Sequence, residues 1–491
     1  MFAEGCRVEN DGRTAIRETV SMSASLSSTS RSGDSSWRWV PLLLLALVSA
    51  MVGNVLARAA TAFDSVGPAV MVAVPAVLIL AVVAFGRPLI GIAVIVVSFP
   101  FGTIALPTGP VSLQAVELGV VLVAVVVALH RLARGTTMLP LTPHLWWLLG
   151  LIGCALLALP SAIDQELALK QVAQLIGGFL YVTCVIAACR EMTDVRRLMT
   201  LFVLVAAAIA LVSLMSQGEF RSSLGGSVVS GRAEGTFDQP NQLGSFSALA
   251  AFVAVGLAMG ARAWRERSTM LVSFGLVTGA LLLSLSRGAW IGTAAAVVFL
   301  AFAMRRSRRL ILAVAIPILF VAAMAGALAS SSPQVAVITQ RIESFTVRSP
   351  YDNRPAIWAE AYREIADDPW TGQGPGSFPV ASARASSEAT TTSADHAHNL
   401  WLTWAAESGI PAALMLTGFI VAVGLGAAQA LRAAGNARDR AMVVGLTAAM
   451  ITLLGQGIVD YTLRNAVVFF AALTVIGAFL ATWRIATTST R

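Results

Sequence analysis

Apolar runs long enough to cross a lipid bilayer recur along almost the whole chain, and they constrain its fold more than any other feature. A transmembrane helix needs about 20 mainly apolar residues, and about fourteen such runs can be placed in this sequence. They lie near residues 39–57, 68–85, 88–106, 112–130, 143–161, 170–189, 197–216, 243–261, 269–285, 288–304, 310–330, 410–431, 441–459 and 466–484. Only 12% of the 491 residues are charged, whereas soluble proteins carry about a quarter. The sequence therefore predicts an all-α, polytopic transmembrane bundle of about 12–14 spans.

The positive charges lie in every second connector between these predicted spans. The formal net charge is +8, and Lys170 is the only lysine. If the N-terminal tail is cytoplasmic, the cytoplasmic connectors carry Arg87, Arg131, Arg134, Arg190, Arg196, Arg197, Arg262, Arg265, Arg267, Arg305, Arg306, Arg308, Arg309, Arg432, Arg438 and Arg440. Cytoplasmic loops of membrane proteins carry this excess of cations. We therefore expect a multi-pass protein of the cytoplasmic (inner) membrane with both termini cytoplasmic, and no nucleic-acid partner.

Two longer segments are polar and divide the chain. Residues 1–38 are rich in Ser, Arg and Gly without apolar periodicity, which predicts a disordered cytoplasmic tail. Transmembrane helices with short loops follow over 39–330. Residues 331–409 form a long loop, predicted to be extracytoplasmic, before the C-terminal transmembrane helices of 410–491. Loops of this length are usually functional or disordered, and helix signals inside this one indicate order.

Those helix signals begin at Asn353, a candidate cap, with Pro355 in the first turn. Apolar residues then recur at helical spacing at Ile357, Trp358, Ala361 and Ile365. Pro369 ends this helix, and residues 372–378 predict a tight glycine-rich turn. A further helix starts near His398, lies at the membrane interface, and turns into the next span at Gly409-Ile410-Pro411.

Two shorter polar islands precede the loop on the same predicted side of the membrane. In the first, Asp238 and Asn241 fit an ordinary turn and helix cap, while Arg232 is a candidate contact for a phosphate; the residues leave both interpretations open. In the second, Arg287 interrupts an apolar run within Ser286-Arg287-Gly288. It can snorkel to lipid headgroups or pair with a bound anion, and its place away from the cytoplasmic cations favours the anion.

The loop ends in a cluster that contains two of the four histidines, His396 and His398, next to Asn399. Histidine titrates near neutral pH and suits a general base, although a structural histidine is the commoner case. Zinc is the obvious alternative, but no cysteine pair and no His-x-x-x-His helix accompanies the cluster. We expect no metal and no cofactor.

Taken together, the islands resemble the O-antigen ligase family of bacterial membrane proteins, which is similar to the O-antigen polymerases. The family pattern has His followed by Asn, Ser or Gln, then nine residues and Gly-x-x-Gly. His398-Asn399 is followed by nine residues and Gly409-Ile410-Pro411-Ala412, with alanine in place of the second glycine.

The two family arginines also have counterparts. One precedes a Phe-x-x-Pro-Asn stretch, which Arg232 matches with Phe237 and Pro240-Asn241. The other follows a serine at the next external turn, which Ser286-Arg287-Gly288 matches. The resemblance covers about residues 200–465.

The resemblance implies glycosyl transfer on the extracytoplasmic face. The donor would be a glycan linked to undecaprenyl diphosphate, and the acceptor a sugar hydroxyl of a glycan or glycolipid such as lipopolysaccharide. His398 would be the base, oriented by Asn399 or Glu407, with Arg232 and Arg287 on the donor diphosphate. The absence of Asp-x-Asp from the external loops predicts an inverting, metal-independent reaction. The supporting candidates are His396, Asn241, Arg341, Arg348, Arg354 and Asp460.

Two other functions remain open from the sequence. A polysaccharide repeat-unit polymerase of the same superfamily would differ mainly in its acceptor. A transporter or flippase would place charged residues near the middle of the bilayer and show internal repeats. Glu117 is the one clear carboxylate inside the predicted spans of the first half, and no repeat is visible.

Overall fold

The computed structural model describes residues 86–102, 105–106, 113–135, 140–215, 218–221, 228–303, 354–386 and 394–488. All of them belong to one compact unit, Asn54–Arg491. Several predicted features lie outside the described residues. They are the tail 1–38, the predicted spans near 39–57, 68–85 and 310–330, and the residues Asn353, Arg341 and Arg348.

Every predicted span within the described residues contains a helix, although the runs near 88–106 and 112–130 also include the strand residues Ala105–Leu106 and Leu113–Gln114. In chain order the helices are α1 (Pro88–Ser98), α2 (Ala115–Ala133), α3 (Leu145–Leu157), α4 (Gln165–Ala188), α5 (Met192–Met215), α6 (Pro240–Gly260), α7 (Trp264–Leu283), α8 (Arg287–Ala303), α9 (Arg354–Asp367), α10 (Phe378–Ser386), α11 (Leu400–Ala433), α12 (Ala437–Gly457) and α13 (Ala466–Thr488). In this part of the chain, eight helices are long and apolar enough to cross a membrane, while α1, α3 and α8 are shorter apolar helices. The prediction of an all-α, multi-pass membrane protein is confirmed.

Two small antiparallel hairpins lie in the connectors. Strand β1 (Ala105–Leu106) pairs with β2 (Leu113–Gln114), and β3 (Gly218–Arg221) pairs with β4 (Val228–Arg232). Just after β4, the backbone N–H of Ala233 donates to the carbonyl of Leu283 at 2.9 Å. The second hairpin is therefore tied to the end of α7.

Helix α6 lies at the centre of the bundle and packs against α5, α7 and α12. Its residues are buried on every side from Leu243 to Ala258, as expected for a helix that is apolar all round. Its backbone comes close to α12, because a Cβ on Gly445 would lie 2.6 Å from the Cα of Gly256. Small residues permit such close crossings of membrane helices.

The described residues of the long loop, 354–386 and 394–409, dock onto one end of this bundle. Helix α9 matches the predicted helix, with Ile357 and Ala361 buried beside Phe378 and Ala406. The glycine-rich turn after it is also confirmed, with positive φ angles at Gly372 (65°), Gly374 (99°) and Gly376 (70°). Helix α10 follows the turn and was not predicted.

Backbone hydrogen bonds hold the turn in place. The N–H of Gln373 donates to the carbonyl of Ala406 at 2.8 Å, and its carbonyl accepts from the N–H of Ile163 at 3.1 Å. The turn therefore bridges α11 and the connector between α3 and α4.

Helix α11 contains the predicted change of direction. Ser408 and Gly409 leave helical geometry, with Gly409 at φ 81°. A Cβ on Gly409 would lie 2.1 Å from the carbonyl oxygen of Trp370, so only glycine fits without a shift. Residues Leu400–Glu407 thus form a separate helical segment before the span.

Glu117 lies within a helix that is long and apolar enough to cross a membrane. It lies in the first turn of α2, where its Oε2 accepts from the N–H of Gln114 at 2.8 Å in a capping box. The carboxylate therefore stabilises the N-terminus of this helix.

Candidate active site

The centre of the site is a hydrogen bond between His398 and Asp460, 62 residues apart in sequence. The Nδ1 atom of His398 lies 3.0 Å from Oδ1 of Asp460. His398 precedes α11, and Asp460 follows α12. Since the carboxylate accepts, Nδ1 carries a proton, and Nε2 is the ring nitrogen that does not contact Asp460. A carboxylate fixes the tautomer of a catalytic histidine in this way.

Asp460 is itself held by neighbouring groups. Its Oδ2 accepts from Nδ2 of Asn241 at 2.8 Å, and its Oδ1 accepts from the N–H of Tyr461 at 2.9 Å. Burial would raise the pKa of the Asp460 carboxyl, but the hydrogen bond and charge of His398 hold that pKa well below its usual range. The carboxyl is therefore ionised at neutral pH.

Asn241 is not the helix cap that its sequence context suggested. Helix α6 begins at Pro240, and its N-cap is Gln239. Proline is preorganised for the first helical position, which moves the start of the helix upstream. Asn241 therefore lies in the first turn, where its side chain contacts Asp460.

His396 lies directly beside His398. Its Nδ1 accepts from the backbone N–H of His398 at 3.1 Å, and the two ring centroids are 4.3 Å apart. Burial lowers the pKa of His396 to about 3, and the charge of His398 acts in the same direction. His396 is therefore neutral at neutral pH.

The structure describes the arginines predicted to bind the donor in different degrees of detail. Arg287 is the first residue of α8, and a Cβ on its neighbour Gly288 would lie 3.7 Å from Cβ of Asp460. Arg354 begins α9, and its charge contributes to lowering the pKa of both His396 and Asp460. For Arg232 the structure describes the backbone, as the last residue of β4.

Asn399 and Glu407, the residues expected to orient His398, have other partners. The Asn399 side chain caps α11 by accepting from the N–H groups of Trp401 and Leu402, and it donates to the carbonyl of Ile458 at 2.8 Å. Glu407 pairs with Arg464 at 3.2 Å. The side chain that contacts the ring of His398 is that of Asp460.

Arg464 is a residue that sequence reasoning missed. It contacts Glu407 and also donates to the carbonyl of Gly376 at 3.1 Å, which joins the connector after α12 to both α11 and the glycine turn. One signal was present in the sequence. Residues 460–465 form a polar connector between two apolar spans, on the side that the arginine pattern assigns to the long loop.

The same side chains are the group in the described residues that could hold a metal ion. His396, His398 and Asp460 each offer a ligand atom, and these atoms lie within 4.8 Å of one another. However, Nδ1 of His398 and Oδ1 of Asp460 already bind each other, and Nδ1 of His396 accepts from a backbone N–H. A metal would have to use the Nε2 atoms or displace these bonds.

The helices and this site define a multi-pass membrane protein with a histidine–carboxylate pair where the docked loop meets the bundle. Residues 272–417 match the family model described as O-antigen ligase. This confirms the resemblance drawn from the motifs, over a segment that contains Arg287 and His398 but not Arg232 or Asp460. The chain is also 36% identical over 139 residues to an O-antigen ligase of Pseudomonas aeruginosa. That alignment covers 27% of this chain and 30% of the length of the relative.

Proposed function

We propose that the protein is a glycosyltransferase that moves a glycan from undecaprenyl diphosphate to a sugar hydroxyl of an envelope glycan or glycolipid. The hydrogen bond between His398 and Asp460 carries this proposal, because it directs the basic Nε2 atom away from the carboxylate. The family match supports the reaction class. Lipopolysaccharide is the acceptor that membership of the family implies.

In the proposed reaction, His398 Nε2 accepts the proton of the acceptor hydroxyl as its oxygen attacks the anomeric carbon. The bond between that carbon and the diphosphate oxygen breaks, and undecaprenyl diphosphate leaves. Attack opposite the leaving group inverts the anomeric configuration. Asp460 stabilises the imidazolium that forms on His398.

The leaving diphosphate gathers negative charge and needs fixed cations. Arg287 and Arg354 are the candidates whose backbone positions or charges bring them near Asp460. Arg232 remains a candidate on its motif, and so do Arg341 and Arg348 on their place in the loop. Guanidinium groups suit phosphate oxygens because they can bind two at once.

We further propose that the reaction is metal-independent and takes place on the extracytoplasmic face, with both termini in the cytoplasm. The hydrogen bonds among the two histidines and Asp460 support a histidine base over a metal-bound hydroxide. The alternation of arginines supports the orientation. Cysteine labelling at position 395, with membrane-impermeant reagent on intact cells, tests it: a lack of labelling in a folded Asp395→Cys variant contradicts the orientation.

The principal experiment compares wild type and His398→Ala in membranes with an undecaprenyl-diphosphate-linked glycan donor. Asp395→Ala is the matched control, because Asp395 lies in the same turn but is exposed. We expect loss of transfer for His398→Ala at normal protein level, unchanged transfer for Asp395→Ala, and no effect of a chelator. Normal transfer by His398→Ala contradicts the assignment of the base.

The length of the product distinguishes the two reactions of this superfamily. A single shift in the size of the acceptor indicates a ligase, whereas a ladder of repeat units indicates a polymerase. Movement of the donor across the bilayer without a glycosylated product indicates a transporter or flippase.

A further inference from the structure

The reactive histidine has an unusual backbone conformation. His398 has φ 47°, and Leu285 is the other non-glycine residue with positive φ in the described part of the chain. Left-handed backbone is unfavourable for residues with a Cβ and persists only where surrounding contacts fix it. A second interaction must therefore hold His398 in the conformation that presents its ring to Asp460.

The contact that can do this comes from His396. Its Nδ1 accepts from the N–H of His398 at 3.1 Å, two residues along the chain. This is the geometry of an Asx turn, with an imidazole nitrogen in place of the side-chain oxygen of Asn or Asp. A neutral His396 ring with its proton on Nε2 is required, because a proton on Nδ1 would remove the acceptor.

The position of the ring is fixed by packing as well. The His396 ring makes an edge contact with Tyr461, with centroids 5.6 Å apart. Tyr461 follows Asp460 directly, so the same connector holds both the carboxylate and the ring beneath His398. The packing of the His396 ring against Tyr461 and the hydrogen-bond acceptor at its Nδ1 are thus two properties that substitutions can separate.

We propose that His396 is a positioning residue whose Nδ1 acceptor fixes the left-handed turn at His398 and thereby aligns the base with Asp460 and the acceptor hydroxyl. This inference rests on the proposed function, because it takes His398 as the base. His396 itself contacts neither substrate nor leaving group in this scheme.

Two substitutions separate the acceptor from the packing. His396→Asn keeps an acceptor that can close the same turn but loses the ring. His396→Phe keeps a ring against Tyr461 but has no acceptor. We expect His396→Phe to lower kcat for glycan transfer by about 100-fold with little change in the KM of the donor, because misalignment of a general base affects the chemical step. We expect His396→Asn to retain transfer within about 3-fold of wild type.

The outcomes are distinguishable from failure of the proposed function. If His398→Ala is inactive while His396→Phe transfers normally, the base assignment stands and the positioning role is wrong. If His396→Asn is as inactive as His396→Phe, with both folded by thermal melting, packing rather than the acceptor matters and the proposal is overturned. If His398→Ala transfers normally, the base assignment is wrong, and the positioning role of His396 fails with it; if the wild type itself shows no transfer, the proposed function is wrong. Should either variant not accumulate, His396→Ser and His396→Ala replace them, because these two variants differ only in the hydroxyl that can accept from the N–H of His398. Higher transfer by His396→Ser than by His396→Ala is then the expected result.

Discussion

The guanidinium of Arg464 lies 3.2 Å from Oε1 of Glu407, whose side chain is 4% exposed. Removing one partner of a buried ion pair leaves an uncompensated charge and costs about 3–5 kcal/mol. We expect Arg464→Met to lower the free energy of unfolding by about 3 kcal/mol, because it strands the buried Glu407 carboxylate. Glu407→Gln should cost less, since Arg464 is partly exposed and keeps its bond to Gly376.

A double-mutant cycle checks this asymmetry by thermal or denaturant unfolding in detergent. The double variant Arg464→Met/Glu407→Gln should be more stable than Arg464→Met alone. Equal destabilisation by both single variants, with additive effects in the double variant, would show that the two groups do not interact.

Asp460→Asn tests the orienting carboxylate in the proposed reaction. The substitution preserves shape but removes the charge that stabilises the imidazolium, and the amide can present its N–H to His398 and favour the wrong tautomer. We expect transfer to fall by about 100-fold or more, by analogy with other histidine–carboxylate pairs. The measurement is the initial rate of glycan transfer at equal protein level, with Asp395→Asn as the control. A wild-type rate for Asp460→Asn contradicts the orienting role.

The buried carboxyl group of Glu364 leads us to expect that the stability of the protein depends on pH. Its side chain is buried, and neither carboxyl oxygen has a hydrogen-bond partner among the described residues. Burial, with the charges of Glu360 and Glu407, raises the pKa of Glu364 from 4.5 to about 8. The folded state therefore holds a proton that the unfolded state releases, so the free energy of unfolding falls as pH rises between these two values. We expect Glu364→Gln to remove this loss and to be more stable than wild type at pH 8, by up to about 3 kcal/mol.

Melting temperatures of wild type and Glu364→Gln between about pH 4 and pH 9 measure this effect. The control is Asp395→Asn, at an exposed position of the same loop, which should leave the profile unchanged. Parallel profiles for wild type and Glu364→Gln would show that Glu364 titrates alike in both states.

The close helix crossings predict that glycine is needed at particular positions and not at others. A Cβ on Gly292 would lie 2.1 Å from the carbonyl oxygen of Thr452, and one on Gly445 would lie 2.6 Å from Gly256 Cα. We expect Gly292→Ala and Gly445→Ala each to cost about 1–3 kcal/mol, because the helices must separate. Gly424→Ala is the control, since nothing lies within 4 Å of a Cβ there. Wild-type melting temperatures for Gly292→Ala and Gly445→Ala would contradict the close packing.

The sequence predicted the transmembrane spans well, because the length of an apolar run decides whether it can cross a bilayer. The run near 243–261 required only a count of apolar residues, and it is the buried central helix Pro240–Gly260. The glycine-rich turn was also predictable, since Gly372, Gly374 and Gly376 all adopt positive φ. These are local properties of the chain.

The partners within the site depended on tertiary contacts and were predicted less well. Asn241 looked like a cap, but its amide reaches a carboxylate 219 residues away. Asp460 was a secondary candidate because its sequence neighbours give no sign of His398, and Arg464 was missed. Spacing along one segment cannot report a contact that depends on how α6, α11 and α12 pack.

His398 lies just before α11 and Asp460 lies just after α12, so the chain between them runs the full length of both helices. Their hydrogen bond at 3.0 Å is therefore also a measure of how the two spans sit along each other. A slide of about 1 Å would break the bond, because it fails beyond about 3.5 Å, while leaving most side-chain packing in contact. In the proposed reaction, the alignment of the base with its carboxylate would therefore depend on the registry of two membrane helices, and so on the thickness of the bilayer that surrounds them.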